Sequence, residues 1–587
     1  MRASTIHAFF ETAARDPAGR AVRYRAGPAR WTSLSWADYA KEVRKVARGL
    51  VALGIGPGDR VAICGPNRLE WLLADFGALA AGAIPAPYYP TLPADQAAYV
   101  LEHSEARIAI VHDAAQLAKI GASRSRLPRL RHVVLMEGSA PGAISFADLR
   151  RGAAAVAERE IDERLAALKA DGLATLIYTS GTTGPPKAVM ISHGNLLFAA
   201  EAAPRILRTE PGDVVVSYLP LSHIAEQMIS LHSPAASGYE VACCERLEDL
   251  PATLREVRPT SFLGVPRVWE KIQAKIEDGV AAAPPRRRAL FEWARRLGLE
   301  AARGHEPVLL PLARKLVHER VRKALGLDRA RILATSAAPI NRSTLEFYES
   351  LGMPLFELYG QSECTGASTA NLPERRRVFT VGVPLPGTGL RLAEDGEILL
   401  EGPHVFAGYY KDPAATAEAL TADGWLRTGD VGELDRDGFL RITDRKKDLI
   451  ITSGGKNVSP QNIEKRLAGI PGVAQAVVVG DARKHLAALF TLDREASLRE
   501  AKACGLACGS VEEIARDPRF VARIAERVNA VNGELASFET IKRFRILPVE
   551  FTVESGELTP TMKLRRKVVG QRYAREIEEM FRDGAAA

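Results

Sequence analysis

Between residues 36 and 358 two textures alternate along the chain. Apolar residues recurring every three or four positions predict helices over 36–53, 68–81, 195–203 and 341–351. Short apolar runs of strand length separate them, at 60–64, 108–111, 133–135, 174–178, 214–217, 261–263, 332–334 and 355–358. A further apolar run, 218–221, reads as strand leading to His223. Strands and helices in alternation predict an α/β fold, with parallel sheets covered by helices on their faces. Ligands of such sheets gather at the carboxyl ends of the strands, so a site is expected in the loops after Tyr178, Ser217, Ala334 and Leu358.

The texture changes twice. The interval 281–327 is helical and rich in arginine, including Arg286, Arg287 and Arg288. It predicts a solvated amphipathic insertion, with a membrane or partner contact as the other reading. After Thr380, short strand-like runs alternate with glycines from Gly382 to Gly438, which predicts a β-rich subdomain. The charged run Asp444-Arg445-Lys446-Lys447-Asp448 follows, and beyond it 449–451, 473–479 and 487–491 predict strands of a compact α+β domain. The expected division is a large domain over 1–443, a hinge at 444–449 and a small C-terminal domain over 450–587.

Composition narrows the class. At 587 residues the chain is too long for a single core, and 47% apolar with 26% charged residues is ordinary globular usage. A formal net charge of +8 over this length is mild. It suits nucleotides or a weak pull towards anionic membrane surfaces. Nucleic acid is not expected, since there are no RNP aromatics, zinc-finger spacing or dense basic arm. Cys64, Cys243, Cys244, Cys364, Cys504 and Cys508 form no C-x-x-C pair and read as reduced thiols of a cytosolic protein. The N-terminal residues run into an amphipathic helix carrying Glu11, Arg15 and Asp16, unlike a signal peptide. The most apolar stretch, 72–87, carries Asp75 and reads as buried helix and strand, not a membrane span.

The densest chemistry follows the run 174–178: Thr179-Ser180-Gly181-Thr182-Thr183-Gly184-Pro185-Pro186-Lys187. Glycines let backbone N–H groups approach phosphate oxygens, hydroxyls add donors, and the lysine adds a point charge. The spacing is not G-x-x-x-x-G-K-[ST], so this is not the P-loop of kinases and GTPases.

This segment resembles the phosphate loop of the adenylate-forming acyl-CoA synthetase family, and further motifs of that family follow in order over nearly the whole chain. They are Tyr218-Leu-Pro-Leu-Ser-His223, Tyr359-Gly-Gln-Ser-Glu-Cys-Thr-Gly366, Gly424-Trp-Leu-Arg-Thr-Gly-Asp430, Asp444-Arg445 and Pro560-Thr-Met-Lys563. The resemblance implies ATP, Mg²⁺ and coenzyme A as reactants and cofactor. It assigns the phosphates to Thr179, Ser180, Gly181, Thr182, Thr183, Gly184 and Lys187, and the metal to Glu363 with Thr183. Tyr359 takes one face of the adenine, with Ala337, Ala338 and Pro339 along the other, a stretch where the family usually has Gly, and Gly360, Gln361 and Ser362 are further nucleotide-binding positions. Asp430 and Arg445 take the ribose, and Gly454, Gly455 and Lys456 the pantetheine channel. The sequence also departs from the family in carrying Ala188 where Gly usually follows the lysine.

His223 is carried over as a wall of the acyl pocket beside the carboxylate. Trp269 resembles a tryptophan that gates the acyl tunnel of long-chain members, and a core-packed tryptophan is the equal alternative. Lys563 is the expected catalytic cation: a carboxylate attacking the α-phosphate brings two anions together, and a positive charge touching both lowers that barrier. Lys447 is the expected pivot about which the small domain turns between half-reactions. The implied activity is long-chain fatty acid–CoA ligation. A fatty acyl-AMP ligase serving a carrier protein and a non-catalytic binding homologue are the alternatives. A peripheral membrane contact is a further reading of the basic insertion, and a monomer and a homodimer are equally compatible with the sequence.

Overall fold

The computed structural model describes residues 3–582 apart from 28–29, 180–184, 455, 507–508, 554 and 560–563. Ser35 starts the helix Trp36–Ala52, its hydroxyl accepting from the Asp38 amide. Within it Trp36, Tyr39, Val43, Val46, Ala47 and Leu50 are buried, a spacing of three and four that makes one continuous stripe. The stripe packs on the helix Leu69–Ala80, and burial of each large side chain contributes about 1.5–3 kcal/mol. The two helices lie close because Gly77 has no side chain; a Cβ there would come within 2.5 Å of Val46 Cγ1. Helix Leu69–Ala80 is enclosed over most of its surface, which accounts for its apolar sequence. Asp75 is buried within it with neither carboxylate oxygen hydrogen-bonded, and burial pushes its carboxyl up to about 7.

Two sheets of the large domain follow the predicted pattern. The strands Ile84–Pro87, Arg60–Cys64, Ile108–Val111, His132–Leu135 and Ile144–Ser145 lie side by side in that order, all parallel. Val214–Ser217, Glu240–Cys243 and Arg20–Arg25 are also parallel, with Trp31–Ser35 added antiparallel at the edge. A third sheet starts parallel, Ser261–Gly264, Ile332–Thr335 and Leu355–Gln361, and then turns back through Gly366–Ala370 and Val383–Pro384. The region after Thr380 holds the antiparallel sheet Gly389–Leu392, Glu397–Glu401, Leu426–Leu434 and Leu440–Arg445. Beyond Asp448 come the short hairpin Ile450–Ile451 with Asn457–Val458, and a sheet of Val473–Val479, Leu486–Leu492 and Ile541–Ile546 with its own apolar core.

Two local expectations need correction. The strand Leu173–Thr179 is not parallel to its neighbour: it pairs antiparallel with Lys187–Ser192, which pairs in turn with Gly408–Tyr409. The phosphate motif therefore joins two strands of a hairpin. The run 218–221 is not strand; Val214–Ser217 ends first, and Asn67 Nδ2 and Gln227 Nε2 take up the Leu219 and Leu221 carbonyls that a ladder would have used. The arginine-rich interval is helical and packs by one face. Its helix Pro285–Ala302 buries Phe291, Ala294 and Gly298 against the helix Arg342–Ser350, and a Cβ at Gly298 would meet the Ser350 carbonyl at 2.0 Å. Arg295 donates to Ser350 Oγ at 3.0 Å, while Arg286, Arg287 and Arg288 remain exposed.

Candidate active site

The antiparallel pair Leu426–Leu434 and Leu440–Arg445 places Asp430 directly opposite Arg445. Arg445 Nε donates to Asp430 Oδ1 at 3.2 Å, and Tyr359 Oη, from the end of Leu355–Gln361, donates to Asp430 Oδ2 at 2.8 Å. Tyr359 and Asp430 are 7% and 6% exposed, so the carboxylate and the phenol are nearly dry, while the Arg445 side chain keeps 43% of its surface exposed. Burial and then the Asp430 charge hold the Tyr359 hydroxyl well above its usual range, so it remains a donor. For Arg445, burial would lower the guanidinium pKa, but Asp430 and then Asp448 outweigh it and raise it. Gly429 has φ +70 and donates its N–H to Glu397 Oε1 at 3.0 Å, shaping the turn that presents Asp430.

Ser336 Oγ donates to the Leu358 carbonyl at 3.0 Å, which draws the loop after Ile332–Thr335 alongside Tyr359. Ala337 in that loop has φ +74, a left-handed conformation costing about 1–2 kcal/mol in a residue with a Cβ. Gln361 Nε2 reaches the Thr428 carbonyl at 3.3 Å, and Ser362 is buried. Gly360 is required by a close approach: a Cβ would fall 1.7 Å from the Gly366 carbonyl oxygen across the hairpin.

Glu363 sits in the short turn Ser362–Cys364, its carbonyl accepting from the Phe406 amide at 2.9 Å. Its Oε1 accepts from Tyr409 Oη at 2.8 Å, and Lys187 Nζ lies 4.8 Å from the centre of the Tyr409 ring. Burial and then Glu363 raise the Tyr409 hydroxyl pKa. Tyr409 thus stands between the lysine and the glutamate, and the sequence reading missed it. The only hint was an aromatic pair after Gly408. Tyr410 turns to the opposite face, its ring 5.7 Å from that of His103, which hydrogen-bonds Tyr178 Oη at 3.0 Å. Ala188 is buried in the strand opposite Tyr178, so its Cβ is accommodated.

Thr179 Oγ1 donates to the Lys187 carbonyl at 3.4 Å across the mouth of the hairpin. Ser180, Gly181, Thr182, Thr183 and Gly184 lie outside the described residues, as do Gly455 and Lys563. Among the described residues no group of three His, Cys, Asp or Glu side chains could hold a metal. The hard carboxylate of Glu363, which accepts from the Tyr409 hydroxyl whose ring Lys187 approaches, fits a cation whose other ligands come from phosphate, rather than an all-protein cage.

His223 caps the helix Ile224–Gln227, its Nδ1 accepting from the Ala225 amide at 3.2 Å. Trp269 is fully buried: Nε1 donates to the Gly264 and Ala334 carbonyls at 3.0 and 3.2 Å, and its ring packs edge-on against Phe262 and Tyr348. These are contacts of a core side chain, and a gating swing would break both hydrogen bonds. Lys447 is exposed in the turn after Arg445, where the Lys446 N–H donates to the Gly429 carbonyl at 2.8 Å and Lys446 Nζ binds Asp395 and Glu397. Gly454 and Lys456 belong to the hairpin Ile450–Ile451 with Asn457–Val458; Lys456 Nζ lies 5.9 Å from the Phe538 ring of the same C-terminal region.

A tyrosine, a buried aspartate and an arginine thus meet where three strands converge, and a glutamate and a lysine flank Tyr409 near the end of the phosphate motif. The chain belongs to the AMP-binding enzyme family: the model of that family matches residues 9–410, and that of the AMP-binding enzyme C-terminal domain matches residues 447–585. It is 39% identical over 573 residues to the long-chain-fatty-acid–CoA ligase FadD15 of Mycobacterium bovis, covering 94% of this chain and 92% of that protein. It is 34% identical over 589 residues to the human long-chain-fatty-acid–CoA ligase ACSBG2, covering 94% and 88%. Among solved structures, ATP-bound MatB from Rhodopseudomonas palustris matches with a TM-score of 0.73 at 23% identity, covering 98% of this chain and 99% of that one. The anthranilate CoA ligase AuaEII with anthranoyl-AMP has a TM-score of 0.73 at 20% identity, covering 98% of each chain.

Proposed function

We propose that this protein is an ATP-dependent long-chain fatty acid–CoA ligase. The carboxylate of the acid attacks the α-phosphorus of ATP and pyrophosphate leaves. The thiol of coenzyme A, losing its proton, then attacks the acyl carbonyl and AMP leaves. The observation that carries this reading is the meeting of Arg445 with the buried pair Tyr359 and Asp430, from three strands. Tyr359 offers a face for the adenine beside Ala337, Ala338 and Pro339, and Asp430 retains lone pairs for the ribose hydroxyls.

Lys187 and the hydroxyls of the hairpin hold the phosphates. A magnesium ion shared with them would be held by Glu363 and Thr183, where it would neutralise phosphate charge. Lys563 supplies the cation that bridges carboxylate and α-phosphate, worth roughly a hundred- to a thousandfold in rate. His223 places the acid's carboxylate. The division into 1–443, 444–449 and 450–587 assigns Lys447 as the pivot that lets Gly454, Gly455 and Lys456 approach for the thioester step.

The chain is also proposed to work in the cytoplasm with a peripheral membrane contact. The supporting surface is on the helical insertion, where Val308 is 92%, Leu309 52% and Leu312 47% exposed in a segment flanked by Arg303, Arg314 and Lys315. Exposed apolar side chains flanked in sequence by cations suit an anionic lipid surface. Among the described residues no helix is long and apolar enough to cross a membrane.

The test is a panel of acids from short to very long chain, following pyrophosphate release and thioester by mass spectrometry with and without coenzyme A. Pyrophosphate release with long acids and thioester only with coenzyme A supports the reading. AMP release that is indifferent to coenzyme A but needs a carrier protein would favour the acyl-AMP ligase, and no release with any acid would refute catalysis.

A further inference from the structure

Beneath the segment that carries His223 lies a buried network centred on a carboxyl group. Glu226 is 2% exposed, and its Oε1 accepts from Ser217 Oγ at 2.7 Å, Ser230 Oγ at 2.6 Å and Asn67 Nδ2 at 3.5 Å. Asn67 Nδ2 reaches Ser217 Oγ at 2.8 Å and the Leu219 carbonyl at 2.7 Å as well. Gln227, the next residue on the helix, is fully buried and donates to the Leu221 carbonyl at 2.9 Å. The connection from the strand Val214–Ser217 to His223 is therefore held at residues 217, 219 and 221. The holding groups come from one helical turn just past His223 and from the loop after Arg60–Cys64.

Packing alone does not explain this carboxyl. Val215, Val216, Ile229 and Leu263 line a small cavity beside it, so an apolar side chain would be as well surrounded. Burying an ionisable group costs several kcal/mol unless its hydrogen bonds are complete. Hydrogen bonds to a carboxylate are short and directional, so what the group gives in return is a fixed geometry. The helix beyond is also specialised: residues Met228–His232 form a π-turn, with the Ile229 carbonyl accepting from Tyr239 Oη at 2.7 Å. Glu226 and Ser230 straddle the start of that turn.

We propose that Glu226 is a positioning residue for the acyl end of the active site, fixing residues 217–221 and through them His223. The role rests on the placement of the acid's carboxylate beside His223 proposed above. It calls for a selective effect: disturbing Glu226 impairs the fatty acid and spares the nucleotide, whose partners Tyr359, Asp430 and Arg445 sit on other strands.

The experiment is ATP–pyrophosphate exchange with palmitate, measuring both KM values for the wild type, Glu226→Ala and Glu226→Gln, with thermal unfolding as the fold control. Glu226→Ala is expected to raise the KM for palmitate about tenfold or more and to leave the KM for ATP within about twofold. Glu226→Gln keeps an acceptor oxygen for Ser217 and Ser230, and is expected to restore the palmitate KM to within about threefold. If Glu226→Ala does not fold, Ser230→Ala is expected to raise the palmitate KM two- to fivefold with ATP unaffected. Equal effects on both KM values, or none, would overturn the positioning role. Absence of exchange by the wild type would instead strike the ligase reading on which the role depends.

Discussion

Replacing Asp430 by asparagine tests the nucleotide corner most directly. The side chain keeps its shape, but the charge is lost and one acceptor oxygen becomes a donor. In the native chain Oδ1 accepts from Arg445 and Oδ2 from Tyr359, at 3.2 and 2.8 Å, and each oxygen keeps a lone pair for a ribose hydroxyl. Hydrogen bonds to a charged group are worth about 1.5–3 kcal/mol each. The amide retains one acceptor, so the net loss is about one such bond, and at 1.4 kcal/mol per decade ATP binding should weaken roughly 10- to 100-fold. Asp430→Ala, which removes both acceptors, should weaken it at least about 100-fold. Isothermal titration with Mg·ATP gives the Kd directly, and circular dichroism checks the fold. A change below about threefold in a folded Asp430→Ala variant would refute the assignment of Asp430 to the nucleotide.

Asp75 gives a prediction about stability. Its carboxyl is held near 7 in the fold against 3.8 ordinarily, so below about pH 4 it is protonated in both states. As pH rises from there towards 7 unfolding releases a proton, stability falls, and the full cost of about 4 kcal/mol is present above pH 7. Asp75→Asn should therefore gain on the wild type by a further ~2–3 kcal/mol between about pH 5 and pH 8 in denaturant unfolding of the large domain; parallel profiles would contradict the buried carboxylate. Lys447→Pro should slow thioester formation more than pyrophosphate release in single-turnover assays, and equal loss of both steps would remove the pivot. Co-sedimentation with phosphatidylglycerol vesicles should drop at least about fivefold when Val308, Leu309 and Leu312 are all changed to serine, whereas unaltered binding would remove the membrane contact from this surface.

The regular parts of the fold were legible because strand length and helix period are local properties. The runs at 60–64, 108–111 and 214–217 became strands with those bounds, and Trp36–Ala52 became a helix with its cap at Ser35. Strand direction was not legible at Leu173–Thr179, since a short apolar run carries no mark of its partner's polarity. The Tyr359, Asp430 and Arg445 corner could be anticipated from motifs, and register then brought Asp430 and Arg445 opposite each other. Tyr409, Asn67 and Glu226 could not. Tyr409 reaches Glu363 only because Gly408–Tyr409 pairs with Met190 and Val189, more than two hundred positions earlier. Asn67 and Glu226 are a single amide and a single carboxyl 159 residues apart, with no local pattern to join them.

The adjacent tyrosines 409 and 410 sit on opposite faces of a narrow three-stranded sheet, one towards Glu363 and Lys187 and the other towards His103. Insertions and deletions near them would therefore have unequal outcomes. Removing one residue from the preceding loop would move Tyr410 into the place of Tyr409 and Lys411 to the face that meets His103, but only by forcing Tyr409 into the position of Gly408. An alignment slipped by one position would look intact at the first tyrosine and conceal that exchange. Comparisons of relatives across this stretch are best anchored on Gly408, whose φ of +130 and tight approach to Thr416 admit little but glycine.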